Sequence, residues 1–397
     1  MPYEIIRFPY DGAIDADGHV LEPPWLWEEY LEAAHRPRAI RIREDENGLE
    51  YLELAGRPSE RTRNGTLGLM GAMGDETARP AKDRRYADSI PFGAGDAKER
   101  IELLDREHLE KTVLYPTLGL LWECEVDDPE LTLAYMRAYN RWIADFCRGS
   151  GGRLVPIAQL SLLDPAASAR ELERAVADGC RGGFVCPFTH TRKPHGHPDH
   201  DALFAKACEL DVPLAIHPTF EPAWAVPVRF HGLRRESEFF YNVMLRQGMQ
   251  QAFLSFFALG TLERFPRLAL GVLESGCGWV GAFLDRMDAV AATASGRGVR
   301  LGLPPSELFR RQCFISGDPD ETAAPYIVDP VGADCFLWAT DYPHPDHPSA
   351  WAPALERFVA KLAPATRAKV LGENVRRIYK LDRAQQAPRA EGEGSRA

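Results

Sequence analysis

The chain has no uninterrupted apolar run near the roughly 18 residues that a membrane span requires, and its first residues, MPYEIIRFPYDG, show neither the basic start nor the apolar stretch of a secretory signal. No membrane partner is expected, and the cytoplasm is the expected location. A basic excess is missing as well. Lys and Arg number 47 against 58 Asp and Glu, the formal net charge is −11, and no Lys/Arg stripe stands out, so a nucleic-acid partner is not expected. There is also no CxxC pair. Cys124, Cys147, Cys180, Cys186, Cys208, Cys277, Cys313 and Cys335 are scattered, several in apolar runs such as GFVCPF and ADCFLWAT. They read as buried free thiols, not as disulfides or a thiolate metal site, and Cys186 reads as packing.

What is present is a long alternation of short apolar runs with amphipathic segments, the sequence form of strand and helix units on a parallel sheet. With 45% hydrophobic and 26% charged residues the chain can bury a large core. Eight strands are expected near 13–20, 112–117, 153–160, 182–188, 213–218, 268–274, 313–316 and 334–341. The fold class is therefore α/β, a (β/α)₈ TIM barrel with an insertion after strand 1, forming one domain over 1–383. PAASARELERAVADG reads as a barrel helix, with Leu172 and Ala175 inward and a glycine at the C-cap. Residues 36–95, rich in Gly, Arg, Met and Pro, form the inserted segment and are expected as a lid over the barrel mouth. Residues 384–397 read as a disordered tail. The apolar stretch 236–266 reads as one or two helices packed on the barrel or on a second copy in a homodimer.

Asp17 and His19 are separated by one glycine at the end of the first strand, and alternate strand residues point the same way, so both side chains can reach one ion. Asp15 shares that parity and competes for the carboxylate position. His217 closes VPLAIH and Asp341 closes FLWATD, which adds two ligand types at strand C-termini that a parallel barrel gathers together. Two imidazoles and two carboxylates suit one divalent ion, zinc first, with manganese or iron as alternatives.

In DADGHVLEP (15–23), VLYPTLGL (113–120), AYNRWIADFC (138–147), AIHPTF (215–220), LERFPRLALGVLESGCGW (262–279), WATDYPHPD (338–346) and VLGENVRRIYKL (370–381), the chain resembles the amidohydrolase superfamily. The resemblance is to its amidohydrolase-related branch, which includes the aminocarboxymuconate semialdehyde decarboxylase-like proteins. It implies a metal held by Asp17, His19, His217 and Asp341, the same four residues. It also implies a catalytic histidine after the sixth strand, where VLESGCGW offers Glu274 instead. Glu274 at that position is expected as a carboxylate base or an extra ligand, against the alternative of a structural glutamate in the turn. His190 and Arg192 in PFTHTRKP are candidate substrate readers, Arg192 for a carboxylate. His344 in DYPHPD is a third candidate, or else a support of Asp341 or its loop. HGHPDH (195–200) reads as turns and caps, not as a metal tract.

The expected function is metal-dependent hydrolysis of a small organic substrate by an activated water, with Asp341 or Glu274 taking its proton. The alternative is non-oxidative decarboxylation of an aromatic or unsaturated carboxylic acid. A barrel that binds a small molecule without turnover would have no use for a complete ligand set.

Overall fold

In the computed structural model, the structure describes residues 3–225, 238–293, 298 and 301–383. The tail expected over 384–397 and the start of the 236–266 segment lie outside the described residues. In chain order the strands are β1 (Ile14–Val20), β2 (Arg41–Glu44), β3 (Glu50–Leu54), β4 (Arg57–Pro58), β5 (Lys111–Pro116), β6 (Leu154–Pro156), β7 (Ala158–Gln159), β8 (Gly183–Val185), β9 (Leu214–Ile216), β10 (Leu270–Val272), β11 (Cys313–Gly317) and β12 (Phe336–Trp338).

Two parallel sheets, β1-β5-β6 and β7-β8-β9-β10-β11-β12, make the barrel wall. β6 and β7 are one barrel strand interrupted at Ile157: its amide donates to Leu114 O, while the Ala158 amide donates to Gly182 O on the other side. The ring is completed between β1 and the extension of β12, where the Asp341 amide donates to Asp17 O (2.9 Å) and the His19 amide donates to Tyr342 O (2.8 Å). All seven residues of β1 are buried, as expected for a strand covered on both faces.

The surrounding helices start where the sequence supplies side-chain caps. Asp96, Asp128 and Asp164 each accept amide protons from the first turn of the helix that follows. Proline opens two of these helices, Pro129–Cys147 and Pro165–Asp178, where its missing N–H costs nothing. Gly179 ends Pro165–Asp178, which buries Leu172 and Ala175 as expected. The apolar stretch forms two helices, Glu238–Ala258 and Thr261–Arg264. Phe239 and Val243 on the first are exposed. In HGHPDH, the His197 ring accepts from the Asp199 amide just before the helix Asp201–Leu210, and all eight cysteines are buried and free. Among the described residues no helix is long and apolar enough to cross a membrane.

The segment between β1 and the first barrel helix carries its own antiparallel sheet, β2-β3-β4. A turn on Asp45, which accepts from the amides of Asn47 and Leu49, joins β2 to β3. The segment is fixed to the barrel mouth at several points: the Met73 amide donates to Pro343 O, and Tyr86 Oη donates to Glu22 O.

Candidate metal centre

β1 carries two side chains into the centre, but simple alternation does not describe it. Its register against β5 slips between Asp15 and Gly18. Asp15 consequently sits beside Gly18, where an added Cβ would lie 2.7 Å from its Oδ2, and not with Asp17. There it accepts from Thr112 Oγ1 (3.0 Å), the Thr340 amide (2.9 Å) and Thr340 Oγ1 (2.9 Å), so its oxygens are taken. Sequence parity placed Asp15 on the ligand face, and the slip removes it.

Asp17 is the opposite case. Both of its oxygens are buried without a hydrogen-bond partner, and so are Nε2 of His19 and Nε2 of His217. Asp17 Oδ1 lies 3.5 Å from His19 Nε2 and 3.4 Å from His217 Nε2. Each imidazole is held from behind: His19 Nδ1 is 2.7 Å from Pro116 O, and His217 Nδ1 is 2.7 Å from Pro218 O. A carbonyl only accepts, so a proton sits on Nδ1, and Nε2 of each ring faces inward. Burial, and then the neighbouring His344, keep the His19 pKa below the usual imidazole range, which favours the neutral form.

Asp341, at the end of the β12 extension, lies with Oδ1 2.9 Å from His19 Nε2 and 3.1 Å from His344 Nδ1. Burial would raise its pKa, but His344, His347 and His19 hold it well below the usual carboxylate range. Glu274, past β10, reaches His217 Nε2 at 3.3 Å with a side chain 12% exposed. Burial, then Asp341 and Asp346, push its pKa well above the ordinary value. Both carboxylates sit on left-handed backbone, φ +44° at Glu274 and +55° at Asp341. Non-glycine residues rarely adopt that conformation, and it is concentrated at functional sites. Asp17, His19, His217 and Glu274 offer ligand atoms within 4.8 Å of one another, and His19, Asp341 and His344 do the same. Unpartnered buried acceptors on two carboxylates and two imidazoles, with no thiolate, fit a divalent metal.

His344 also faces Thr117, its Nε2 3.0 Å from Thr117 Oγ1, so Asp341 is braced through it against the segment after β5. The structure does not bring the other two candidate substrate readers to this cluster. His190 Nε2 lies 2.7 Å from Glu123 O, and the Arg192 guanidinium stacks on Trp224, 4.6 Å from the ring centroid, in a separate depression with Phe188 and His195.

Three participants were not singled out from the sequence. His347 places Nδ1 2.7 Å from Asp341 Oδ2, and Asp318 stands behind it, Oδ1 3.7 Å from His347 Nε2. Glu22 is buried and accepts the amides of Thr117, Leu118 and Gly119 at 3.1, 2.8 and 2.8 Å. The spacing in DYPHPDHP could have drawn attention to His347. Nothing local marks Asp318 or Glu22.

Above the cluster opens a cavity of about 360 Å³. Glu274, His344 and Asp346 line it together with the apolar side chains of Leu69, Met70, Leu120, Leu121, Pro218 and Phe220 and with Thr66, Thr117, Thr219 and Asn242. Leu69 and Met70 come from the inserted segment.

The family model described as Amidohydrolase matches residues 14–381. Among curated proteins, the gamma-resorcylate decarboxylase of Rhizobium sp. is 26% identical over 314 residues, covering 72% of this chain and 87% of that protein. The decarboxylase orsB of Emericella nidulans is 28% identical over 207 residues, 48% of this chain and 59% of that protein. Among solved structures, an amidohydrolase of Mycobacterium avium subsp. paratuberculosis has a TM-score of 0.77 at 19% identity, covering 93% of this chain and 99% of that one. A 5-carboxyvanillate decarboxylase of Novosphingobium aromaticivorans, complexed with manganese and 4-hydroxy-3-methoxy-5-nitrobenzoic acid, has a TM-score of 0.64 at 15% identity, covering 96% and 99%. The structural likenesses establish the shared barrel fold.

Proposed function

Since the chain belongs to the amidohydrolase family, we propose that it is a metal-dependent carboxy-lyase that removes CO₂ from a hydroxylated aromatic carboxylic acid. The observation that carries this reading is the cavity, where apolar side chains and the carboxyl of Glu274 line one space, Glu274 itself lying among the candidate metal ligands. An aromatic ring suits such side chains, and the reacting carbon would meet Glu274. The curated relatives named as decarboxylases favour this chemistry over the hydrolysis expected first.

In this reading Asp17, His19, His217 and Asp341 hold one divalent ion, and manganese, present in the related decarboxylase structure, is preferred to zinc. When bound, such an ion supplies Lewis-acid stabilisation of the substrate carboxylate and its neighbouring hydroxyl. The rest falls to the chain's own groups. Glu274 faces the cavity as a largely buried carboxyl whose surroundings favour the protonated form. It gives its proton to the ring carbon that bears the carboxylate. The bond to the carboxylate then breaks, its electron pair returns to the ring, CO₂ leaves, and Glu274 regains a proton from solvent. Asp341, kept ionised by its imidazole neighbours, serves as a ligand and not as the acid. His344 holds Asp341 in position, and Leu69 and Met70 of the 36–95 segment act as a lid that limits water at the ring.

The experiment incubates manganese-loaded protein with a panel of hydroxybenzoic acids and, in parallel, with aryl esters, lactones and amides. CO₂ release with solvent deuterium entering the vacated ring carbon supports the carboxy-lyase. Acid release from the second panel alone would replace it with hydrolysis, in which Glu274 accepts a proton from water.

A further inference from the structure

Asp341 has two oxygens, and the centre described above uses only one. Its Oδ2 is buried, has no hydrogen-bond partner, and lies 2.7 Å from His347 Nδ1, which also lacks one. That pairing repeats the pattern in the first ligand set, where His19 Nε2 stands 2.9 Å from Asp341 Oδ1 and is likewise without a hydrogen bond. Two ligand atoms facing one point, at a separation near 3 Å and not aligned with each other, are arranged for a cation between them. Glu274, Asp346 and His347 extend the pattern, with ligand atoms all within 4.8 Å of one another, and Asp346 Oδ1 is 3.8 Å from His347 Nδ1.

Charge points the same way. Asp17, Glu274, Asp318, Asp341 and Asp346 gather around this end of the barrel. Among the described residues their basic contacts are Arg246, 3.2 Å from Asp318 Oδ2, and the imidazoles of His19, His217, His344 and His347. A cation bound among these carboxylates lowers their mutual repulsion.

We infer that the protein has a second, weaker divalent-cation site built from Glu274, Asp346, His347 and the free oxygen of Asp341, and that filling it takes Glu274 out of catalysis. A Glu274 carboxylate bound to that cation has no proton to give the ring carbon, so excess metal inhibits. The loss of activity rests on the carboxy-lyase reading, whereas the binding site does not.

The test strips the full chain of metal and titrates it with Mn²⁺, reading bound metal by equilibrium dialysis and electron paramagnetic resonance, and CO₂ release alongside. Two equivalents are expected for the wild type. The second should bind more weakly and bring an exchange-coupled spectrum, because Asp341 bridges the two ions. Turnover should fall by about a hundredfold as it binds, the scale of losing a positioned acid/base group. His347→Leu and Asp346→Asn should each bind one equivalent and escape the inhibition, every protein being compared with its own activity at one equivalent. A wild type that saturates at one equivalent overturns the site without need of either variant, as does a second equivalent retained in both. Two equivalents without inhibition overturn the role given to Glu274. Two equivalents in a protein that releases no CO₂ from any substrate would keep the site and discard the carboxy-lyase.

Discussion

Asp15 accepts hydrogen bonds from Thr112 and Thr340, whereas neither oxygen of Asp17 has a partner, although the two residues differ only in position along one strand. Their substitutions should therefore fail in different ways. Asp15→Ala strands the donors around it and should cost about 3 kcal/mol of stability, while any protein that folds keeps its metal. Asp17→Asn should lose most bound metal, yet in the metal-free state melt no lower than the wild type, because an uncompensated buried charge is gone. Calorimetry with metal analysis separates them, and a metal-free Asp15 variant beside a metal-loaded Asp17 variant would reverse the assignment. Glu274→Gln keeps size and removes the transferable proton, so turnover should drop by at least about a hundredfold with the first metal equivalent retained. Unchanged turnover would make Glu274 a structural residue. Most of these residues were legible in the sequence because a barrel gathers strand ends, and His19, His217 and Asp341 each close an apolar run. Parity alone did not separate Asp15 from Asp17, since a register slip leaves no mark in the letters; the resemblance to the family supplied the choice of Asp17. His190 and Arg192 illustrate a second limit: following a strand does not fix which wall of the mouth a side chain joins.

At the scale of elements, the slip in β1 depends on Gly18. A Cβ there would lie 2.5 Å from Arg100 Nη2, 2.6 Å from Thr112 Oγ1 and 2.7 Å from Asp15 Oδ2, too close on three sides. Gly18→Ala should weaken metal affinity by roughly ten- to a hundredfold through displacement of Asp17 and His19, although residue 18 is not among the ligand groups. Metal titration of the folded variant checks this, and wild-type affinity would show that β1 absorbs the change. The segment after β5 depends instead on Glu22, which accepts three of its amides. Burial raises the Glu22 pKa to about 7, with the backbone bonds pulling against it. A carboxyl raised on folding contributes stability that is complete below the unfolded value and is lost as pH rises through the folded one. Between pH about 5 and about 8, the stability of the wild type relative to Glu22→Gln should therefore decline. Denaturant unfolding at several pH values measures it, and a difference that stays flat would mean that Glu22 is ionised throughout. The alternation of elements was readable from residue 96 onward. The β2-β3-β4 sheet was not, because its strands are short and half-exposed, and their polar, Arg- and Glu-rich letters match a loop as well as a strand.

For the whole molecule, a ligand that binds only the folded state stabilises it by about 2.7 kcal/mol at a hundredfold excess over its dissociation constant. Removing metal should accordingly lower the melting temperature by several degrees, and returning Mn²⁺ should restore it. An unchanged melting temperature would mean that the ion does not bind the native barrel tightly. The ring also closes through the candidate ligand residues themselves, since Asp17 O and His19 N bond to Asp341 N and Tyr342 O. β1 pairs with β5 on one side, but its other edge waits for the extension of β12, and an ion would find the four proposed donors together only afterwards. A chain truncated before Asp341 would hold three of the four proposed donors and no closed ring, and should be left unmetallated.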